Sequence, residues 1–167
     1  MTTTPSRTSA QADSLFLSRA IELAAQNVLD RGGPFGAVVV TADGQAFDGV
    51  NRVTASNDPT AHAEVTAIRA ACRELGTFDL TGATLYSSCE PCPMCLASAL
   101  WARIAVVRFA ADRHDAASAG FDDAVFYDYF DTPVELRSMP VLHTEPEGVS
   151  RMAPFEQWAA FAQRIEY

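Results

Sequence analysis

An imidazole, two thiols and a carboxylate stand in two short segments of this 167-residue sequence, His62-Ala63-Glu64 and Pro91-Cys92-Pro93-Met94-Cys95. Neither segment is distinctive alone. A single histidine is more often a surface or core residue than a ligand, and Cys92 with Cys95 also suits a redox pair or half of a structural zinc knot. Together they offer three metal ligands, one short of a closed tetrahedral zinc site. Three protein ligands and an open fourth position describe a catalytic zinc, at which a water is acidified to a pKa of about 7. Glu64 separates this reading from a structural zinc module, which has no use for a carboxylate that takes and returns protons. In mid-helix, a spacing of two residues points side chains to opposite sides. His62 and Glu64 must therefore sit at the open first turn of a helix, where both can lean over its mouth. A helix N-terminus beside each ligand segment also lowers thiol pKa values.

Cys89, Cys92 and Cys95 are evenly spaced, and with Cys72 they offer an iron–sulfur alternative. That alternative leaves His62 and Glu64 without a role and lacks the usual proline after a last cysteine. Cys89 is expected to pack against or tune the loop, and Cys72 to lie in the core.

The elements that must position these residues follow from local signals. Leu17, Ile21, Ala24 and Val28 recur at helical spacing from Asp13 onward, and Gly32-Gly33 supplies the stop. Residues 35–41 and a second run ending near Val50 form a hairpin about Asp43-Gly44. Residues 51–59 are polar loop, Thr60 is expected to cap a helix running to Leu75, and Gly76 ends it. Residues 84–87 and 104–110 read as strands, with a helix between them that Pro91 and Pro93 open. An aromatic stretch over residues 121–130, a strand near residues 134–142 and a last helix from Pro154 complete the chain. That last helix carries Phe155, Trp158, Phe161 and Ile165 on one side, a stripe it must bury somewhere. The order of elements implies an α/β fold, a mixed β-sheet of about five strands flanked by helices, with parallel pairing across the helical crossovers. Residues 1–12 are expected to be a flexible tail and residues 13–167 one domain.

Composition narrows the partners. The net charge is -9, from 21 acidic and 12 basic residues, and every base is arginine. Residues 112–167 alone hold 11 of the acids against 4 arginines. Such a field repels polyphosphate and argues against a long nucleic-acid contact. Without lysine, neither a Schiff base nor a P-loop lysine is available. Arg103 and Arg108 interrupt the apolar stretch at residues 94–111 before a membrane span accumulates, and the N-terminus lacks the apolar core of a secretory signal. Cysteines clustered in one loop fit a cytoplasmic thiol or metal site.

Histidine-x-glutamate with proline-cysteine-x-x-cysteine is the signature of zinc-dependent nucleobase deaminases, and by it the sequence resembles the cytidine deaminase superfamily. The longer text at residues 57–68 (NDPTAHAEVTAI), 85–95 (LYSSCEPCPMC), 119–123 (AGFDD) and 154–167 (PFEQWAAFAQRIEY) is similar to the bacterial guanine deaminases. The resemblance covers almost everything after Gly32. It implies a three-layer cytidine-deaminase-like fold and one zinc per chain, held by His62, Cys92 and Cys95, with Glu64 moving protons. It also implies that Asn51 hydrogen-bonds the base, that Phe35 and Trp101 line or stack on it, and that Asp123 contacts the exocyclic amino group or relays protons. Residues 96–100 are expected beneath the pocket. Each assignment has a plainer alternative: a turn for Asn51, core packing for Phe35 and Trp101, helix capping for Asp122 and Asp123. The family implication extends to a homodimer in which a C-terminal segment, residues 150–167, crosses to the partner and Tyr167 covers the flat base. Guanine would give xanthine and ammonia. Guanosine, cytosine or cytidine, an oxidised purine and an aminotriazine remain alternatives, and a transfer-RNA adenosine deaminase would want a basic footprint that this chain lacks.

Overall fold

Small residues decide how the first helix meets the sheet. In the computed structural model, which describes residues 9–167, helix α1 (Ser9–Leu29) buries Ala20, Ala24 and Asn27 along one face. Of the expected stripe, Leu17 and Ala24 lie on that face, joined by Leu23, whereas Ile21 and Val28 are exposed. The helix takes in residues 9–12 of the expected tail; residues 1–8 lie outside the described residues.

Strands β1 (Gly36–Val40) and β2 (Ala46–Val50) form the expected hairpin. β3 (Thr84–Cys89) pairs antiparallel with β1, and β4 (Val106–Ala111) pairs parallel with β3, giving the order β2-β1-β3-β4. Along β1 the side chains alternate between faces. Val38 packs with Ala20 and Tyr86 beneath α1, whereas Ala37 and Val39 join the larger cluster on the opposite face. That second face is covered by α3 (Ala63–Leu75) and α4 (Pro93–Trp101), through Ala67, Ile68, Ala71 and Ala99. Helices, mixed sheet and helices make three layers.

The described residues contain four strands rather than about five. Across the stretch expected as another strand, Val134–Leu136 is a single 3-10 turn. Pro133 and Pro140 flank it, and neither has an N–H to donate to a ladder.

Two details place the residues of interest. A Cβ on Gly49 of β2 would lie 2.3 Å from the Ala63 carbonyl and the Ala67 nitrogen, so strand and helix touch backbone to backbone. α3 begins one residue after His62, not at Thr60. Thr60 turns instead to the Asp58 carboxylate, which accepts from its N–H at 2.8 Å and its hydroxyl at 2.7 Å. Within the expected loop, α2 (Val53–Ser56) makes one short turn.

After β4 come α5 (Arg113–Ser118), closed by a reciprocal capping box between Asp112 and Asp115, and α6 (Ala124–Asp131). The chain divides into two compact units, Met1–Tyr127 and Asp128–Tyr167. In the second, α7 (Ala153–Ala160) stops before Phe161, so the predicted four-residue stripe does not lie on one helix. Phe155, Phe161 and Ile165 are exposed. Among the described residues, no helix is long and apolar enough to cross a membrane.

Candidate active site

His62 and Cys92 occupy equivalent places. Each is the extended residue leading into an open helix N-terminus, His62 with ψ 158° before α3 and Cys92 with ψ 168° before α4. Pro93 begins α4 at no cost, because the N–H it lacks has no partner in a first turn. One turn on, Cys95 is fully buried and points back to Cys92. The β2 end and the α3 start are tied together: Arg52 N–H donates to the Ala61 carbonyl at 2.9 Å, and the Thr66 hydroxyl to the Val50 carbonyl at 2.9 Å.

This arrangement gathers His62, Cys92 and Cys95 into one cluster that could hold a metal ion. His62 Nδ1 lies 3.6 Å from Cys92 Sγ and 3.5 Å from Cys95 Sγ, and the two sulfurs are 3.6 Å apart. A tetrahedral zinc, roughly 2.0–2.3 Å from nitrogen and sulfur donors, would separate them by about 3.5–3.8 Å. Donor types and spacings both fit zinc. The protein's own groups already divide the charge unevenly. Cys92 is brought down to about 4 by the Cys95 thiol and by His62, whose own pKa its contact with Cys92 raises. Cys95 is pushed up by sharing with Cys92 and by burial. A bound dication would hold both sulfurs as thiolates.

Glu64 stands beside the cluster, 6% exposed. Its Oε2 is 3.4 Å from Cys95 Sγ, and its Oε1 accepts a 3.1 Å hydrogen bond from the Ser87 hydroxyl of β3. Burial raises its pKa above the ordinary carboxylate value, which suits a group that must both take and give protons near neutral pH.

A cavity of about 330 Å³ opens over this corner, lined by His62, Glu64 and Cys92 together with Phe35, Asn51 and Asp123. Phe35 meets Phe121 edge-to-face, ring centroids 5.1 Å apart, forming an apolar wall. Asn51 Oδ1 accepts from the Val53 N–H at 3.3 Å. Both adjacent aspartates line the cavity, but Asp122 Oδ1 also accepts from the Ala124 N–H at 2.9 Å at the start of α6. Partial burial raises the Asp123 pKa, with the neighbouring Cys92 adding to it.

The matched family model, the cytidine and deoxycytidylate deaminase zinc-binding region, spans residues 10–111. The chain belongs to this zinc-dependent deaminase family. The deaminase is 50% identical over 153 residues to the guanine deaminase of Bacillus subtilis, covering 91% of this chain and 97% of that one. The crystal structure of that relative superposes with a TM-score of 0.86 at 49% identity, covering 92% of this chain and 98% of that one. A tRNA-specific adenosine deaminase of Agrobacterium fabrum is 35% identical over 123 residues, 74% of each chain.

Not every predicted residue reaches the cavity. Trp101 ends α4 with 69% of its surface exposed, and it is not among the lining residues; nor are residues 96–100. Ala99 of α4 and Ala102, which caps it, join the core cluster, and Trp101, out of phase with them, turns away. Tyr167 belongs to the second unit of the deaminase and is 75% exposed. Conversely, Cys89, Glu90 and Arg113 line the cavity without having been singled out as site residues. Arg113 donates to Glu90 Oε1 at 2.5 Å through its side chain and to Oε2 at 3.1 Å through its backbone, and its guanidinium lies 4.2 Å over the Tyr127 ring. That pairing holds Glu90 below the usual carboxylate range. Ser87 was the other omission. Its signal was a hydroxyl inside a run of buried strand residues, where polar atoms need a partner.

Proposed function

We propose that this deaminase hydrolyses guanine to xanthine and ammonia, with His62, Cys92 and Cys95 holding one zinc per chain. The observation that carries the reading is Glu64, a buried carboxyl of raised pKa in contact with the ligand cluster at the base of a small, largely apolar cavity. Zinc, when bound, acidifies the attacking water so that hydrolysis runs at neutral pH. Glu64 takes one proton from that water and passes it to the ring nitrogen, then carries the second, from the hydroxyl now on carbon, to the amine, so that the carbon–nitrogen bond breaks and ammonia leaves. Phe35 supplies an apolar face for a flat ring. Asn51, its Oδ1 engaged by Val53, keeps its amide N–H groups for the base. Asp123 faces the same space and accepts from the exocyclic amine.

The similarity to a bacterial guanine deaminase over nearly the whole chain supports a free purine base as substrate. The charge of -9 weighs against a folded RNA. Free cysteines at all four positions accord with a reducing cytoplasm. A homodimer in which the C-terminal segment covers the partner's site, bringing Tyr167 onto the base, would use the exposed apolar side chains Phe155, Phe161 and Ile165.

Ammonia release from a panel of guanine, guanosine, cytosine, cytidine, adenine, an oxidised purine, an aminotriazine and a tRNA anticodon stem tests the reading. Guanine should be turned over far faster than the rest, with xanthine as product. Preferential turnover of any other member would replace guanine with that substrate.

A further inference from the structure

Asn27 is the most deeply buried polar residue of α1, 2% exposed, and it contacts neither the metal ligands nor the cavity. Both protons of its amide are committed. Asn27 Nδ2 donates to the Gly33 carbonyl at 2.8 Å and to the Asn51 carbonyl at 2.8 Å. Those acceptors belong to the two chain segments that deliver Phe35 and Asn51. The Gly33 carbonyl also accepts the Phe35 N–H at 2.8 Å, and the Phe35 carbonyl accepts the Asn51 N–H at 3.1 Å. The four residues thus form a closed ring of hydrogen bonds, with one side chain spanning the gap between the entrance to β1 and the exit from β2. Gly32 completes the seat: a Cβ there would lie 2.2 Å from Asn27 Nδ2, so only glycine leaves room for the amide.

We infer that Asn27 is a positioning residue that holds Phe35 and Asn51 at the spacing a flat base requires; the inference rests on the reading of those two residues as base-binding. An amide is suited to the task because it presents two donors from one atom to two carbonyls. Aspartate at the same place would set oxygens against oxygens, and serine offers a single proton. The ring acts on substrate binding rather than on proton transfer, since none of its members touches Glu64 or the ligand cluster through a recorded hydrogen bond.

The test is a double-mutant cycle on KM and kcat for guanine with the zinc-loaded full chain. Asn51→Ala should raise KM, and Asn27→Ala should raise it by about tenfold, the scale of one lost hydrogen bond, with zinc content held and kcat changed less than KM. Asn27→Ala added to an Asn51→Ala/Phe35→Ala background should raise KM by no more than about twofold further, because Asn27 acts through those two residues. Gly32→Ala keeps Asn27 and only displaces its amide. It should reproduce the KM effect with a smaller loss of melting temperature. Independent, multiplying KM effects in the cycle would overturn the positioning role and leave the base-binding reading intact. An Asn51→Ala variant with unchanged KM would remove the base-binding reading and this inference with it. An Asn27→Ala variant that melts lower but keeps its KM would reduce Asn27 to a structural tie.

Discussion

The Ser87 hydroxyl donates to Glu64 Oε1 at 3.1 Å, joining two residues 23 positions apart in the chain. Cys95 also approaches this carboxyl, but a metal-bound thiolate has no proton to donate. The serine, with the backbone N–H of Glu64 itself, is the donor that remains when the thiol is ionised. It fixes one oxygen of Glu64 while the other faces the ligand cluster.

As the proposed proton carrier, Glu64 should set the acid limb of the pH profile. Burial raises the Glu64 pKa, and the base form is lost as pH falls through that raised value, so kcat/KM should decline at a higher pH than for an exposed glutamate. A donor to the carboxylate favours the charged form. Ser87→Ala removes it, and the acid limb should move further up in pH. A limb that stays in place or moves down would mean that Ser87 does not support the ionised carboxylate.

Glu64→Gln preserves size and leaves His62, Cys92 and Cys95 intact. Turnover should fall by roughly 10²-fold or more, with one zinc per chain retained by elemental analysis. Loss of the metal from a folded variant would make Glu64 a ligand rather than a proton carrier.

Asp122 and Asp123 should separate cleanly. Asp122→Ala removes the bond to the Ala124 N–H and should cost about 1 kcal/mol of stability, read by thermal melting, with a smaller loss of turnover than Asp123→Asn gives. Asp123→Asn should do the reverse, depressing guanine turnover with little effect on melting or zinc content.

A chain truncated before Pro154, mixed with full-length Glu64→Gln, tests the proposed crossing of the C-terminal segment. The truncated chain keeps a sound Glu64, and the inactive chain keeps an intact tail. Mixed dimers should recover activity that neither chain has alone. Demonstrated heterodimers without recovery would show that each tail serves its own subunit.

How much of this was legible in the sequence follows from the range of the forces involved. The clustering of His62, Cys92 and Cys95 beside Glu64 was readable because its geometry is local. An extended residue before a helix start and a proline in a first turn are written within a few positions of His62 and Cys92. The hairpin at Asp43-Gly44 and the stop at Gly76, with φ 66°, are local in the same sense. The fifth strand was misread because apolar patterning between residues 134 and 142 ignored two prolines that cannot donate to a ladder. Trp101, expected at the base by family resemblance, lies outside the cavity of the single chain because its helical phase turns it from the buried side of α4. Ser87, Asn27 and the Glu90–Arg113 pair were beyond local reading for a different reason. Each is defined by a buried hydrogen-bond or ion-pair partner on a remote element. Burial makes a partner obligatory for a polar group, but which atom becomes that partner is chosen only when the sheet and its helices close on one another.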